Sequence, residues 1–99
     1  MRLSEHVRSV IVETAHAVFD EDVAVKLFGS RLNDDAKGGD IDILIESQKA
    51  LPMIRKKSLR LVARLQMQLG DQPIDVLVVD PATERGPVHR EAMRTGVAL

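Results

Sequence analysis

The spacing of apolar side chains changes from a helical to a strand period in the first half of the chain. A helical repeat predicts a first helix over about residues 4–19, with Ser4 as its N-cap. The apolar, β-branched run 23–28 stops at Gly29 and predicts a strand. Residues 29–39 are polar and rich in turn-forming residues, which indicates a loop.

A second strand is predicted over residues 40–46, where polar and apolar residues alternate in the segment DIDILIE. Successive side chains of a strand point to opposite faces of a sheet. The three isoleucines of this segment therefore share one face. The opposite face carries Asp40, Asp42, Leu44 and Glu46.

The second half of the chain repeats this change of period. Pro52, a residue favoured in the first turn, and Gly70, which favours a helix end, bound a second predicted helix. Residues 74–79 (IDVLVV) predict a third strand, and residues 87–95 a last short helix before Gly96. The apolar tail, residues 97–99, is expected to pack or to pair with a strand.

The order of these elements, α-β-β-α-β-α, indicates an α/β (α+β) fold class: a small mixed sheet of three to four strands with helices packed on it. All 99 residues are assigned to a single domain, 1–99, because a chain of this length has room for one modest core. No apolar run approaches the roughly 20 residues that span a bilayer, so no membrane association is expected.

Composition narrows the kinds of site that this domain could carry. The 14 Lys and Arg against 15 Asp and Glu give a net charge of −1, so direct DNA binding through bulk charge is not expected. The absence of Cys excludes thiolate metal sites and fits a reducing cytoplasm, as does an N-terminus without a signal-peptide pattern. The sequence therefore predicts a cytoplasmic location.

Three aspartates stand inside apolar strand segments, where aspartate is disfavoured. Asp40 and Asp42 share one face of the second strand, and Asp75 is the second residue of the third. If these strands are neighbours, the three carboxylates meet near one end of the sheet. Such oxygen-only ligands suit Mg²⁺ or Mn²⁺ and are typical of a two-metal phosphoryl-transfer site. The alternative is a set of solvated carboxylates on an exposed sheet face.

The first strand ends in the turn Gly29-Ser30-Arg31. Glycine lets a backbone approach a ligand closely, and backbone N–H groups with the Ser30 hydroxyl and the Arg31 guanidinium suit a phosphate. An ordinary turn that ends a strand is the alternative. Neither a Walker-type loop nor a dinucleotide-binding fingerprint is present.

Gly29-Ser30, then Asp40-Ile41-Asp42, then Asp75 resembles the signature of the DNA polymerase β-type nucleotidyltransferase superfamily. The segments LFGSR and GGDIDILIE are most similar to the minimal nucleotidyltransferases (MNT), antitoxins that are paired with HEPN-domain toxins. The resemblance covers nearly the whole chain. One departure from it is the loop between Ser30 and Asp40, which has nine residues where one more is common.

This resemblance implies a Mg²⁺-dependent enzyme that transfers AMP from ATP to a hydroxyl, the tyrosine of a partner HEPN toxin. It implies that Gly29 and Ser30 hold the nucleotide phosphates, with Arg31 in reach of them. Asp40, Asp42 and Asp75 would be the catalytic residues and would hold two Mg²⁺ ions. The expected assembly is a hetero-oligomer with the toxin, and the chain alone could form a homodimer.

Two other functions fit the same residues. The chain could be a catalytically silent binding module that neutralises a toxin by occupancy, or it could transfer a nucleotide to a small molecule or an RNA end. The predicted second helix also carries five basic residues, and no acid occurs from Lys49 to Gly70. This helix is either a contact for an acidic partner or a phosphate, or a solvated outer face.

Overall fold

The first helix and strand form where the spacing predicts them. The computed structural model describes residues 3–29 and 40–99. Helix α1 spans Glu5–Val18, and the Ser4 hydroxyl caps it by accepting a hydrogen bond from the Val7 backbone N–H at 3.2 Å. Strand β1 spans Ala24–Phe28. The predicted cap is therefore confirmed, and the predicted boundaries are correct to within one residue.

The second helix begins later than predicted. Strand β2 (Ile41–Glu46) and strand β3 (Ile74–Val79) stand on either side of helix α2 (Ile54–Leu69) in the chain. A start at Pro52 was wrong by two residues, because Met53 at the N-cap adopts a left-handed conformation with a φ of 55°. Helix α3 spans Pro87–Thr95 as predicted, and the tail forms the short strand β4 (Val97–Ala98).

The strands of the described residues form one mixed sheet in the order β3-β2-β1-β4. Strand β1 runs antiparallel to β2 and to β4. Strand β2 runs parallel to β3, and α2 is the crossover between them. This arrangement confirms the predicted small α+β class, and β4 confirms that the apolar tail pairs with a strand.

The two faces of the sheet are covered by different helices. Helices α1 and α2 pack on the face that carries Ile41, Ile43 and Ile45, and this is the main hydrophobic core. Helix α3 packs on the opposite face, where a smaller cluster joins Leu44 and Val79 to Ala92, Phe28, Leu77 and Met93. The aspartate face of β2 is therefore the one that it shares with α3. Among the described residues, no helix combines the length and the apolarity that crossing a membrane requires.

Candidate active site

The parallel pairing of β2 with β3 brings two of the predicted site residues together. Asp42 lies directly opposite Asp75 in the register of the two strands. Paired residues of neighbouring strands project from the same face of a sheet. Both are second residues of their strands, so the two carboxyls meet at one end of the sheet. Asp42 is half-buried there, and Asp75 is exposed.

Asp40 lies just outside the same end of the sheet. It precedes β2, and the next residue, Ile41, donates its backbone N–H to the Pro73 carbonyl at 3.0 Å. This bond holds the entrance of β2 beside the entrance of β3. Asp40 is exposed. Its spacing of two residues from Asp42 keeps it on the side of the sheet that Asp42 faces.

The electrostatics of this end are unfavourable for a charged Asp42. Burial is the largest cause that raises the pKa of Asp42 above its ordinary value. The negative charges of Asp75 and then of Asp40 raise this pKa further, as does a hydrogen bond between the Asp42 and Asp75 carboxyls. All of these influences favour the protonated acid, so this end of the sheet has an excess of negative charge.

The three acids are not equally close. Within residues 3–29 and 40–99, no group of three or more His, Cys, Asp or Glu side chains is arranged so that it could hold a metal ion. Asp42 and Asp75 form a hydrogen-bonding pair, whereas Asp40 acts on Asp42 through its charge. The arrangement is therefore a carboxyl pair with a third acid at the edge of the strand.

Gly29 is packed against the Asp42 member of this carboxyl pair. Its neighbour Phe28 is the register partner of Asp42. Gly29 has a φ of +81°, and a Cβ at this position would overlap with the Asp42 carboxylate. Glycine is thus required here for two reasons, backbone conformation and space. The other two predicted phosphate-binding residues, Ser30 and Arg31, lie outside the described residues.

At the opposite end of the sheet, charged residues are neutralised because they form ion pairs with each other. Lys26 and Glu46 form an ion pair at 2.6 Å, and Lys49 pairs with Asp20 at 2.8 Å. A cavity of about 880 Å³ opens beside these residues, and none of the three candidate acids lines it. Neither ion pair could be read from the sequence, because each joins residues of different elements.

Asp80 at the end of β3 is also at this opposite end and is a buried structural residue. Its carboxylate accepts hydrogen bonds from the Leu51 N–H at 2.9 Å, the Ala82 N–H at 3.0 Å and the Thr83 hydroxyl at 2.8 Å. These bonds, led by that of Leu51, lower the pKa of Asp80. The sequence showed an acid at a strand end but not its distant partner.

Comparisons with known proteins do not identify a family or a function for this arrangement of residues. No protein-family model matches the chain. No curated protein matches it either. The features that bear on function are therefore the arrangement of Gly29, Asp42 and Asp75 and the spacing of the motif that contains them.

Proposed function

We propose that this protein is a Mg²⁺-dependent nucleotidyltransferase that transfers AMP from ATP to a hydroxyl of a partner protein. The observation that carries the proposal is the close approach of Gly29 to Asp42, which is paired with Asp75 on the neighbouring strand. A glycine with no room for a Cβ follows β1, because the Asp42 carboxyl lies directly beside it. The Asp75 carboxyl is opposite Asp42 in the strand register. A nucleotide's phosphates could approach the glycine backbone while a cation between phosphate and protein is held by the acids.

The donor atoms at this end suit magnesium by their chemistry, although the three acids are not gathered into a metal site in the described residues. Asp40, Asp42 and Asp75 offer only carboxylate oxygens, the ligands that Mg²⁺ prefers. Burial raises the pKa of Asp42 most, and the negative charges of Asp75 and Asp40 raise it further. A divalent cation would neutralise these charges. Bound there, Mg²⁺ would supply charge neutralisation for the triphosphate and the leaving pyrophosphate.

The chain's own residues position the reactants. In the transfer, an acceptor oxygen bonds to the α-phosphorus, the bond between this phosphorus and the bridging oxygen to the β-phosphate breaks, and pyrophosphate leaves. Gly29, with Ser30 and Arg31 after it, would hold the β- and γ-phosphates. Asp75, the exposed member of the pair, would receive the acceptor's proton. Catalysis of this kind is mainly positioning and electrostatic stabilisation.

The sequence resemblance suggests the acceptor. Its motif is that of the minimal nucleotidyltransferases, for which a tyrosine of a HEPN toxin is the expected target. We accordingly propose that the protein acts in the cytoplasm as the antitoxin of such a pair. The proposed assembly is a complex with the toxin that presents the acceptor hydroxyl.

Label transfer tests this function. Purified protein, MgCl₂ and ATP labelled at the α-phosphate would be incubated with a host extract or with a co-expressed partner. The expected result is a labelled protein band that is absent with γ-labelled ATP. Replacing Asp42 by Asn should lower the transfer rate by roughly 10²–10³-fold, because charge stabilisation at the reacting phosphate is lost. Asp71→Asn, at an exposed loop position, is the matched control and should transfer at the normal rate.

The remaining outcomes separate the alternatives. A labelled RNA or small molecule would keep the enzyme and change the acceptor. No transfer from any α-labelled nucleotide, together with tight capture of a toxin that Asp42→Asn captures equally well, would leave the silent binding module. Equal transfer by the wild type and by Asp42→Asn would remove Asp42 from the site.

A further inference from the structure

The solvent-facing side of α2 carries a row of apolar residues that the fold does not use. Leu61 and Leu65 point into the core and are fully buried. On the other side of the helix, Leu59 is 68% exposed and Met67 is 87% exposed. Ala63 lies between them and is also exposed. Residues four apart are neighbours on a helix surface, so these three form a continuous strip, here called the α2 row.

Positive charges border the α2 row. Arg60 and Arg64 each follow a member of the row by one position, so helical geometry places both along one side of it. Arg55 and Lys56 lie at its N-terminal end. Within the described part of the chain, none of these four basic side chains forms an ion pair. No acidic side chain of the described residues therefore neutralises their charges.

We propose that the α2 row and its basic border form a docking surface for an acidic amphipathic helix of a partner protein. An apolar strip with a charged rim has the composition of a protein interface. The partner that fits it has an apolar ridge with Asp or Glu on its flanks. Such a helix would cover Leu59 and Met67 and pair with Arg60 and Arg64, and charge complementarity would set its orientation.

The structure favours a protein over a lipid surface or a nucleic acid. A membrane-surface helix buries its main apolar face in lipid, but that face of α2, with Leu61 and Leu65, is already inside the core. Nucleic-acid surfaces combine cations with stacking side chains. The α2 row holds no aromatic residue, and of the two phenylalanines of the chain Phe19 is buried in the core and Phe28 packs under α3.

The docking surface is separate from the candidate active site. Helix α2 packs on the isoleucine face of the sheet, whereas Asp42 and Asp75 project from the opposite face. The inference therefore does not depend on nucleotidyl transfer. A failure of either proposal leaves the other intact.

A peptide titration tests this surface directly. The probe is a synthetic helical peptide with leucines at every fourth position and glutamates on both sides of them, added to the isotope-labelled full chain. Amide shifts should change at Leu59, Ala63 and Met67 and leave Asp42 and Asp75 unchanged. The double variant Arg60→Glu/Arg64→Glu should weaken binding at least tenfold, and raising the salt concentration should weaken binding to the wild type. Arg85→Glu, an exposed charge reversal elsewhere, should bind the peptide normally.

Exchange of charges provides the decisive control. A second peptide with lysines in place of the glutamates should bind Arg60→Glu/Arg64→Glu and not the wild type. For the apolar part, Met67→Ser should weaken binding of the acidic peptide, whereas Val88→Ser, at a residue 63% exposed on α3, should not. Equal binding of both peptides would overturn the proposal. So would α2 shifts that are produced instead by phosphatidylserine vesicles, by an RNA oligonucleotide, or by self-association of the chain on concentration.

Discussion

Asp42 and Asp80 lie at opposite ends of the same sheet and have opposite electrostatic environments. Asp80 is 2% exposed, and Asp42 is only half-buried. Burial raises the pKa of a carboxyl, because it disfavours the charged form. The pKa of Asp80 is nevertheless lowered, chiefly by the Leu51 N–H and the Thr83 hydroxyl, while the pKa of Asp42 is raised by burial and by Asp75 and Asp40.

The difference shows that hydrogen bonds within the fold stabilise the charged form of Asp80, whereas burial and neighbouring acids destabilise the charged form of Asp42. Asp80 is surrounded by donors and connects β3 to the segment before α2 through Leu51. Asp42 faces another acid across the strand pair, and this arrangement lowers stability unless a cation neutralises the two carboxylates. Functional sites are commonly destabilising in this way. The predictions below test whether the two ends differ as this comparison requires.

The largest effect on stability is expected at the Asp80 end. Asp80→Ala removes an acceptor for three hydrogen bonds and leaves the Leu51 and Ala82 N–H groups, in partly buried positions, without this partner. The melting temperature should fall by roughly 10 °C, measured by circular dichroism. Asp71→Ala, at an exposed loop position, is the control and should melt within about 2 °C of the wild type. An unchanged melting temperature for Asp80→Ala would contradict the structural role.

Gly29→Ala should be the next most damaging change. The new Cβ would overlap with the Asp42 carboxylate, and alanine disfavours the φ of +81° at this position. We expect a loss of about 1–2 kcal/mol in the free energy of unfolding, from chemical denaturation. The same change made in an Asp42→Ala background should cost less, because only the backbone strain remains. Equal costs in the two backgrounds would show that Gly29 and Asp42 are not in contact.

The features of the Asp42 site that depend on neighbouring residues in the chain are predicted well from the sequence. Alternation along β2 places Asp42 opposite to the isoleucine face, and the glycine at the end of β1 marks the turn beside it. These features depend on neighbours in the chain, for which side-chain period and turn chemistry are direct signals.

The contacts between residues that are far apart in the chain could not be predicted from the sequence in this way. The alignment of Asp42 with Asp75 depends on the parallel pairing of β2 with β3 and on the register of that pair. Helix α2 lies between the two strands, so the aligned residues are about 30 positions apart in the chain. The bond from Leu51 to Asp80 likewise joins residues 29 positions apart. The left-handed conformation of Met53 shortens α2. The sequence does not indicate it, because methionine rarely adopts this conformation.

Divalent cations should stabilise the end of the sheet that carries Asp42 by a smaller amount. Mg²⁺ at ten times its dissociation constant would stabilise the wild type by roughly 1.4 kcal/mol, a rise of several degrees in melting temperature. Asp42→Asn should lose most of this rise, and Asp71→Asn should keep it. A matched series with NaCl at equal ionic strength separates specific binding from screening. An equal rise in all three proteins would mean that the carboxyl pair does not bind the ion.

The smallest expected effect is the pH dependence of Asp42 itself. Its pKa in the folded protein lies above the unfolded value near 3.8, so the folded state holds the proton more tightly. The charged form therefore destabilises the fold at neutral pH. This penalty declines as the pH falls through the folded pKa and is gone near pH 3.8. Without metal, Asp42→Asn should melt above the wild type at pH 7.

This advantage of Asp42→Asn should shrink as the pH falls through the folded pKa of Asp42 towards its unfolded value. Asp80 has the opposite sign, because its lowered pKa gives a stabilisation that is complete above its unfolded value and is lost only as the pH falls through its folded pKa, below 3.8. Since both proteins retain Asp80, its contribution cancels in the difference between their melting temperatures. A difference that stays constant with pH, or that grows on acidification, would show that the charge on Asp42 is already balanced in the folded protein, as it is at Asp80.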